Sequence, residues 1–322
     1  MRQGTLISTF LSTRRDALEA PRGRPGLPTG MDGTVLGIMV RVGTPESAVR
    51  AAARAAEQAG FGGLWTNNPP GQDGLALAGW AAEASAVIAL GTGVVPISHH
   101  PPDEILRRIE ELRLPRDRYR LGIGSGQGPH PVERVRAALR ALRPAAGCEL
   151  VLGALGPRMC ALAGEAADGL LLSAVTTAHA RESAGLARAA AAEAGRPGPR
   201  VAAGVLVGLT DADAARLEQV AAFYARLPAY VAHFERQGVT PTDTAIVARN
   251  PDELAERLAA WRGVVDEVVV MSPTNPDDPE ALPRLIEQAH AAWRASAPQP
   301  DSTEQSATRR HVRTPSVESG SV

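Results

Sequence analysis

The stretch Cys148-Glu149-Leu150-Val151-Leu152-Gly153-Ala154-Leu155-Gly156-Pro157-Arg158-Met159 passes from an apolar run through a glycine turn into a helical segment. Residues 148–152 read as a strand and 157–166 as a helix. Two glycines let the backbone turn and approach a ligand without a Cβ in the way. Pro157 suits a first helical turn, where its missing N–H costs nothing. The free N–H groups of that turn, the helix dipole and Arg158 would together favour an anion. The stretch therefore reads either as a phosphate cradle or as an ordinary strand-to-helix turn.

Outward from it, short Val/Leu/Ile-rich runs alternate with Ala/Arg/Glu-rich segments. Strands are expected at 34–40, 62–66, 87–94, 118–123, 148–152, 168–172, 201–207 and 265–270. Helices are expected at 45–59, 73–85, 102–112, 130–142, 157–166 and 177–194, with a longer helical region over 211–262 and a last helix at 278–295. Most of the strands lack clean polar alternation, as expected when both faces are buried. Eight strands, each followed by helix, make a (β/α)8 TIM barrel over residues 31–296 the economical α/β arrangement; about 250 residues is typical of that fold. A doubly wound open sheet is the alternative. Residues 1–30 and 297–322 show no usable periodicity and are expected to be a disordered leader and tail.

Composition narrows the function. The chain has 322 residues and a formal net charge of −1, which suggests neither nucleic acid nor an anionic membrane as partner. Every basic side chain is Arg and there is no Lys. Schiff-base aldolases, lysine-anchored pyridoxal phosphate and lysine-bearing P-loops are therefore excluded. Two cysteines, Cys148 and Cys160, make neither a disulfide framework nor a metal cluster. No apolar run reaches membrane-spanning length. A cytoplasmic protein acting on a small molecule is the expectation, with a homodimer left open.

A barrel places its chemistry at the C-terminal ends of its strands. Those ends carry Arg41, Asn67, Asn68, Ser98, His99, His100, Ser125, Gln127, the 153–158 turn, Ser173 and Ser272. Ser173 and Ser272 read more readily as helix caps and loop ties. Gly91 and Gly93 at the end of the third strand suggest a bulge or a close approach to a ligand. Gly124, Ser125 and Gly126 follow the fourth strand. They lack the helix start that a dinucleotide fingerprint needs, and read as a flat floor beneath a ring or phosphate. His130 reads as a helix start, and His179, His233 and His290 as helix-surface residues.

Several of these segments resemble one family. Ala56-Glu57-Gln58-Ala59-Gly60-Phe61-Gly62-Gly63-Leu64-Trp65, Leu90-Gly91-Thr92-Gly93-Val94 and Tyr119-Arg120-Leu121-Gly122-Ile123-Gly124-Ser125-Gly126 are similar to successive segments of the bacterial-luciferase-like flavin oxidoreductases. Leu152 to Met159, followed by Leu162-Ala163-Gly164-Glu165 and Ala167-Asp168-Gly169-Leu170, most resembles the branch that uses the deazaflavin coenzyme F420. The resemblance implies a barrel with F420, or alternatively FMN, across its mouth. The cofactor phosphate would lie at Gly153, Ala154, Leu155, Gly156, Pro157 and Arg158. A cis peptide at Gly93-Val94 would support the ring, with Asn68, Gly124, Ser125 and Gly126 nearby. Many relatives carry an acidic residue and a His where this chain has Asn67-Asn68; asparagine hydrogen-bonds but does not exchange protons near neutral pH. Asn67, His99 and His100 are therefore the catalytic candidates, and the two histidines read equally well as loop residues before Pro101-Pro102. The expected activity is hydride transfer between F420 and a small organic substrate. An FMN-dependent monooxygenase, a catalytically silent flavin-binding barrel and an unrelated phosphate-binding barrel enzyme are the alternatives.

Overall fold

The computed structural model describes residues 33–297. The expected leader, and all but the first residue of the expected tail, lie outside the described residues. The strands are β1 (Val35–Val40), β2 (Gly63–Thr66), β3 (Ala89–Thr92), β4 (Val95–Pro96), β5 (Tyr119–Gly124), β6 (Glu149–Ala154), β7 (Gly169–Ser173), β8 (Arg200–Gly208), β9 (Ile246–Val247) and β10 (Glu267–Met271). The helices are α1 (Glu46–Gln58), α2 (Gly74–Ala84), α3 (Pro102–Glu111), α4 (Pro131–Ala146), α5 (Pro157–Ala166), α6 (Thr177–Glu193), α7 (Asp211–Tyr224), α8 (Pro228–Gln237), α9 (Pro251–Ala259) and α10 (Ala281–Ala295).

All strand pairings are parallel, and β10 pairs with both β8 and β1, so the sheet closes. The staves run β1-β2-β3-β5-β6-β7-β8-β10, the expected (β/α)8 barrel. β4 continues the third stave beyond a cis Gly93-Val94 bond and pairs with β5. β9 lies against the far end of β8.

Closure explains why the strands read as continuous apolar runs. One set of residues, including Leu36, Ile38, Leu64, Leu121, Leu152, Leu170 and Val268, packs outward against the helices. The alternate set, Met39, Trp65, Val151, Leu171, Ala202 and Val269, fills the barrel interior. At the N-terminal end that interior turns ionic. Glu267 is wholly buried; its carboxylate accepts from Trp65 Nε1 at 2.9 Å and from Arg120 Nη1 at 2.5 Å. Arg200 Nη2 stands 3.6 Å away, and Arg120 Nε lies 3.3 Å from Glu149. A Cβ on Gly37 or Gly63 would sit 2.4 Å from the Glu267 carboxylate, so these two glycines make its room.

The structure corrects the sequence reading at the 211–262 region. It is two helices, a 3-10 turn at Pro241–Thr244, the short β9 and a third helix. Pro228 starts α8, Gly238 ends it in the left-handed conformation, and Pro251 starts α9. α4 also runs past its expected end at 142, with Pro144 inside its last turn.

Candidate active site

The C-terminal mouth has an apolar floor. Val94 and Met271 sit half-exposed on the interior cluster of Met39, Leu171 and Val269. Val94 is seated among glycines. A Cβ on Gly153 would lie 2.7 Å from one Val94 methyl, and one on Gly124 would lie 2.6 Å from the other. A Cβ on Gly122 would lie 1.8 Å from the Thr92 carbonyl oxygen. The glycines of the fourth and fifth staves thus make space for the bulge of the third. Beyond them, Gly126 has φ +58 and packs on Ser98. Arg134 donates to the carbonyls of Ser125 and Gln127, each at 2.9 Å, and clips this loop to α4. The Ser125 hydroxyl donates to the Gly126 carbonyl at 3.1 Å.

At the end of β6, Gly156 is the N-cap of α5, and no side chain caps that first turn. Pro157 has no N–H and the Met159 and Cys160 N–H groups donate to the Gly156 carbonyl, each at 3.0 Å, so the donors this turn presents are the Gly156 and Arg158 N–H groups. Gly156 has φ −124 and ψ 160, which any residue adopts. The expectation that this position needs glycine for a sharp turn is therefore corrected: an added Cβ would meet only Arg236 Nη2, at 3.5 Å. The space before the donors is open, and a side chain would fill it. Arg158 is 81% exposed and 3.9 Å from Glu133. Arg236, on α8, reaches back to donate to the Leu155 carbonyl at 3.1 Å. Sequence reading missed Arg236, because nothing local ties it to a turn 81 residues away. An anionic phosphate fits this turn: open donors, no competing carboxylate cap, and two arginines beside it.

The two asparagines after β2 serve the backbone. Asn67 Oδ1 accepts from the Val42 N–H at 2.8 Å, and Asn68 Oδ1 accepts from the Gly74 N–H at 2.6 Å. Asn68 Nδ2 lies 3.4 Å from His100 Nε2, and His100 Nδ1 lies 3.2 Å from Glu104. One arrangement satisfies all three groups: Nδ1–H donates to Glu104 while Nε2 accepts from Asn68. His99 is exposed, with Nδ1 at 2.8 Å from the Ser98 hydroxyl. Ser272 is a loop tie, its hydroxyl accepting from the N–H groups of Thr274 and Asn275 at 3.2 and 3.3 Å.

The far side of the mouth is covered by the α7–α8 hairpin. Its contacts follow the rim: Arg236 at the end of β6, His233 and Gln237 at the end of β7, and Arg216 paired with Asp277 beyond β10 at 3.2 Å. Four of the chain's eleven Phe, Tyr and Trp residues cluster here: Phe223, Tyr224, Tyr230 and Phe234. Tyr224 and Tyr230 stack face to face with centroids 4.3 Å apart. Burial pushes both hydroxyls above their ordinary range. This concentration, in a chain with only 3% aromatics, was the available sequence signal for the hairpin. Opposite Tyr224, Arg41 at the end of β1 donates through Nη1 to the carbonyls of Pro273 and Asn275 at 3.0 and 2.9 Å. Burial first, then the nearby Arg216, lowers its pKa.

His233 was expected on a helix surface and is buried instead. It lies on one stripe of α8 with Tyr230, Phe234 and Gln237. Its Nε2 lies 3.0 Å from the Ala174 carbonyl and Nδ1 is buried with no partner. Burial, followed by the charge of His179, lowers its pKa. The folded protein then binds fewer protons than the unfolded chain just below the ordinary histidine value of about 6.5. Stability from neutral His233 is full above that pH and is lost as the pH falls through the depressed folded value. Melting temperatures measured from about pH 7.5 to about pH 5 should drop more for the wild type than for His233→Gln; parallel profiles would overturn this assignment.

With the mouth described, the chain can be placed. It belongs to the luciferase-like monooxygenase family, whose model matches residues 31–146 and 132–297. Among solved structures it is similar to the coenzyme F420-dependent tetrahydromethanopterin reductase of Methanopyrus kandleri, with 18% identity, TM-score 0.65, and 79% of this chain and 98% of that one covered. It is similar to an F420-dependent secondary alcohol dehydrogenase in complex with an F420-acetone adduct, at 14% identity and TM-score 0.65, covering 80% and 99%. It is also similar to the oxygenating constituent of 3,6-diketocamphane monooxygenase from Pseudomonas putida, in complex with FMN, at 16% identity and TM-score 0.63, covering 83% and 99%. At these identities the likeness is one of fold. No curated protein matches the sequence. No helix among the described residues is long and apolar enough to cross a membrane.

Proposed function

We propose that this chain is an oxidoreductase that moves a hydride between coenzyme F420 and a small organic acceptor. The observation that carries the reading is the uncapped start of α5, with Arg236 and Arg158 beside it, opening onto the floor around Val94. One end of that groove suits a phosphate and the other a flat ring. The choice of F420 over FMN rests on the Leu152 to Met159 stretch, which resembles the deazaflavin branch. Bound there, the cofactor would supply a two-electron hydride donor or acceptor.

The chain's own residues would do the rest. The Gly93-Val94 bulge supports the ring from below, and Gly124, Ser125 and Gly126 border it. Ala154, Leu155 and Gly156 line the phosphate, with the Gly156 and Arg158 N–H groups as donors, while Pro157, which has no N–H, sets the first helical turn. Asn67 and Asn68 fix the rim beside the ring. His100 has partners on both ring nitrogens, whereas His99 keeps Nε2 available among the described residues, so His99 is our candidate to hold or deliver a proton. The FMN-bound neighbour favours an FMN-dependent monooxygenase as the second reading. Fluorescence titration of the apoprotein should give tighter binding of F420 than of FMN. Tight FMN binding with no measurable F420 binding would replace the first reading with the second.

A further inference from the structure

Strand order fixes who faces whom across the mouth. Counting round the barrel, β1 and β6 are separated by three staves either way. Arg41, at the end of β1, therefore stands diametrically across from the phosphate turn at the end of β6. The bulge of the third stave lies between them on one side, and the α7–α8 hairpin covers the other. A cofactor seated as proposed, phosphate at β6 and ring over Val94, leaves a space bounded by the ring, by Tyr224 and the Met271 floor, and by Arg41.

Arg41 is suited to a ligand. Among the described residues no carboxylate lies within ion-pairing distance of it; its Nη1 is held by two backbone carbonyls, and its backbone N–H is held by Asn275 Oδ1 at 3.0 Å. The carboxylates nearest the rim are already engaged. Asp277 pairs with Arg216, and Asp213 accepts from Thr274 at 2.6 Å and from the Leu209 and Thr210 N–H groups at 3.0 and 3.1 Å. A half-buried guanidinium with a fixed fork, no carboxylate within ion-pairing distance, and Asp277, the carboxylate that acts on it from further off, already paired with Arg216, is a receptor for a planar anion. Tyr224, stacked on Tyr230, is the aromatic group near it, and Met271 lies on the apolar floor of the same mouth.

We propose that Arg41 binds an acidic group on the acceptor, and that the substrate is a flat, apolar organic molecule carrying one carboxylate. This rests on the reading that the mouth holds a deazaflavin or flavin. Calorimetric titrations with 2-naphthoate and its uncharged amide, 2-naphthamide, test it in the protein as expressed and after loading with F420 or FMN. The acid should bind about tenfold or more tightly than the amide, as a charge-assisted bidentate contact requires. Arg41→Gln should bring that ratio close to one while leaving cofactor affinity within about twofold, and Tyr224→Leu should weaken both ligands alike. Equal binding of acid and amide by the wild type overturns the proposal even if Arg41→Gln does not fold. A preference that survives in a folded Arg41→Gln protein also overturns it. Loss of cofactor affinity instead of naphthoate affinity in that variant would assign Arg41 to the cofactor and overturn it too. Failure of the wild type to bind either cofactor would sink the functional reading separately, since the acid-to-amide ratio is measured on its own.

Discussion

Glu267→Gln should lower the unfolding free energy by about 3–5 kcal/mol, the cost of breaking a buried ion pair from one side. The geometry singles out this residue. Its carboxylate is completely enclosed and serves Arg120 and Trp65 directly, with Arg200 at 3.6 Å. The amide keeps the shape and can still accept from Trp65. It leaves Arg120, 3% exposed, facing Glu149 alone at 3.3 Å. Against a typical total of about 5–15 kcal/mol, the loss is a large fraction of the protein's stability. Urea unfolding would measure it. A change below about 1 kcal/mol would mean that the arginines re-pair or hydrate at little cost.

The second large effect falls on cofactor affinity. Gly156→Val should fold with nearly unchanged apo melting temperature, because the backbone is extended there and the new Cβ meets only the tip of Arg236. It should nonetheless weaken cofactor binding by about a hundredfold, since branched methyls would stand before the α5 donors, and two charge-assisted hydrogen bonds are worth about 3 kcal/mol together. Arg236→Ala and Arg158→Ala should each cost only on the order of 1 kcal/mol, because both guanidiniums are solvated. Arg236 should matter more, being held against Leu155. Titrations of the three variants at low and high salt, with apo melting curves, would test this. Unchanged affinity in a folded Gly156→Val protein would place the phosphate elsewhere.

The barrel was legible because its strands are short apolar runs with no alternation, which is what two separate buried faces produce. The outward face feeds the helix-packed core and the inward face feeds the cluster around Trp65. Gly124 after the fourth strand was legible as part of a floor and Gly153 after the fifth as part of a turn, but the immediate reason for Gly122, Gly124 and Gly153 was not: each makes room for Val94 or the Thr92 carbonyl from another strand. Long-range neighbours leave no mark in local sequence. The same holds for Arg236, which reaches its turn only through folding. The α7–α8 hairpin was obscured for a different reason. Its Ala/Arg/Glu-rich composition reads as one helical region, although Pro228 and Gly238 mark the breaks. His233 was misplaced by composition as well; its spacing with Tyr230, Phe234 and Gln237 at i, i+3, i+4 and i+7 of one stripe already marked the buried side of α8.

That hairpin joins the two ends of the mouth. Arg236 at one end of it meets the turn before α5, and Tyr224 at the other lies near Arg41, so the two compartments proposed above would share one two-helix arm. A group that settles against Arg236 would then bear on the tyrosine wall through α8. Occupancy of the two compartments is then thermodynamically linked, and a cofactor that braces the arm should raise affinity for the acceptor by the same factor that the acceptor raises affinity for the cofactor. Saturating one compartment should therefore lower the apparent Kd of the other by that shared factor, whichever ligand is added first.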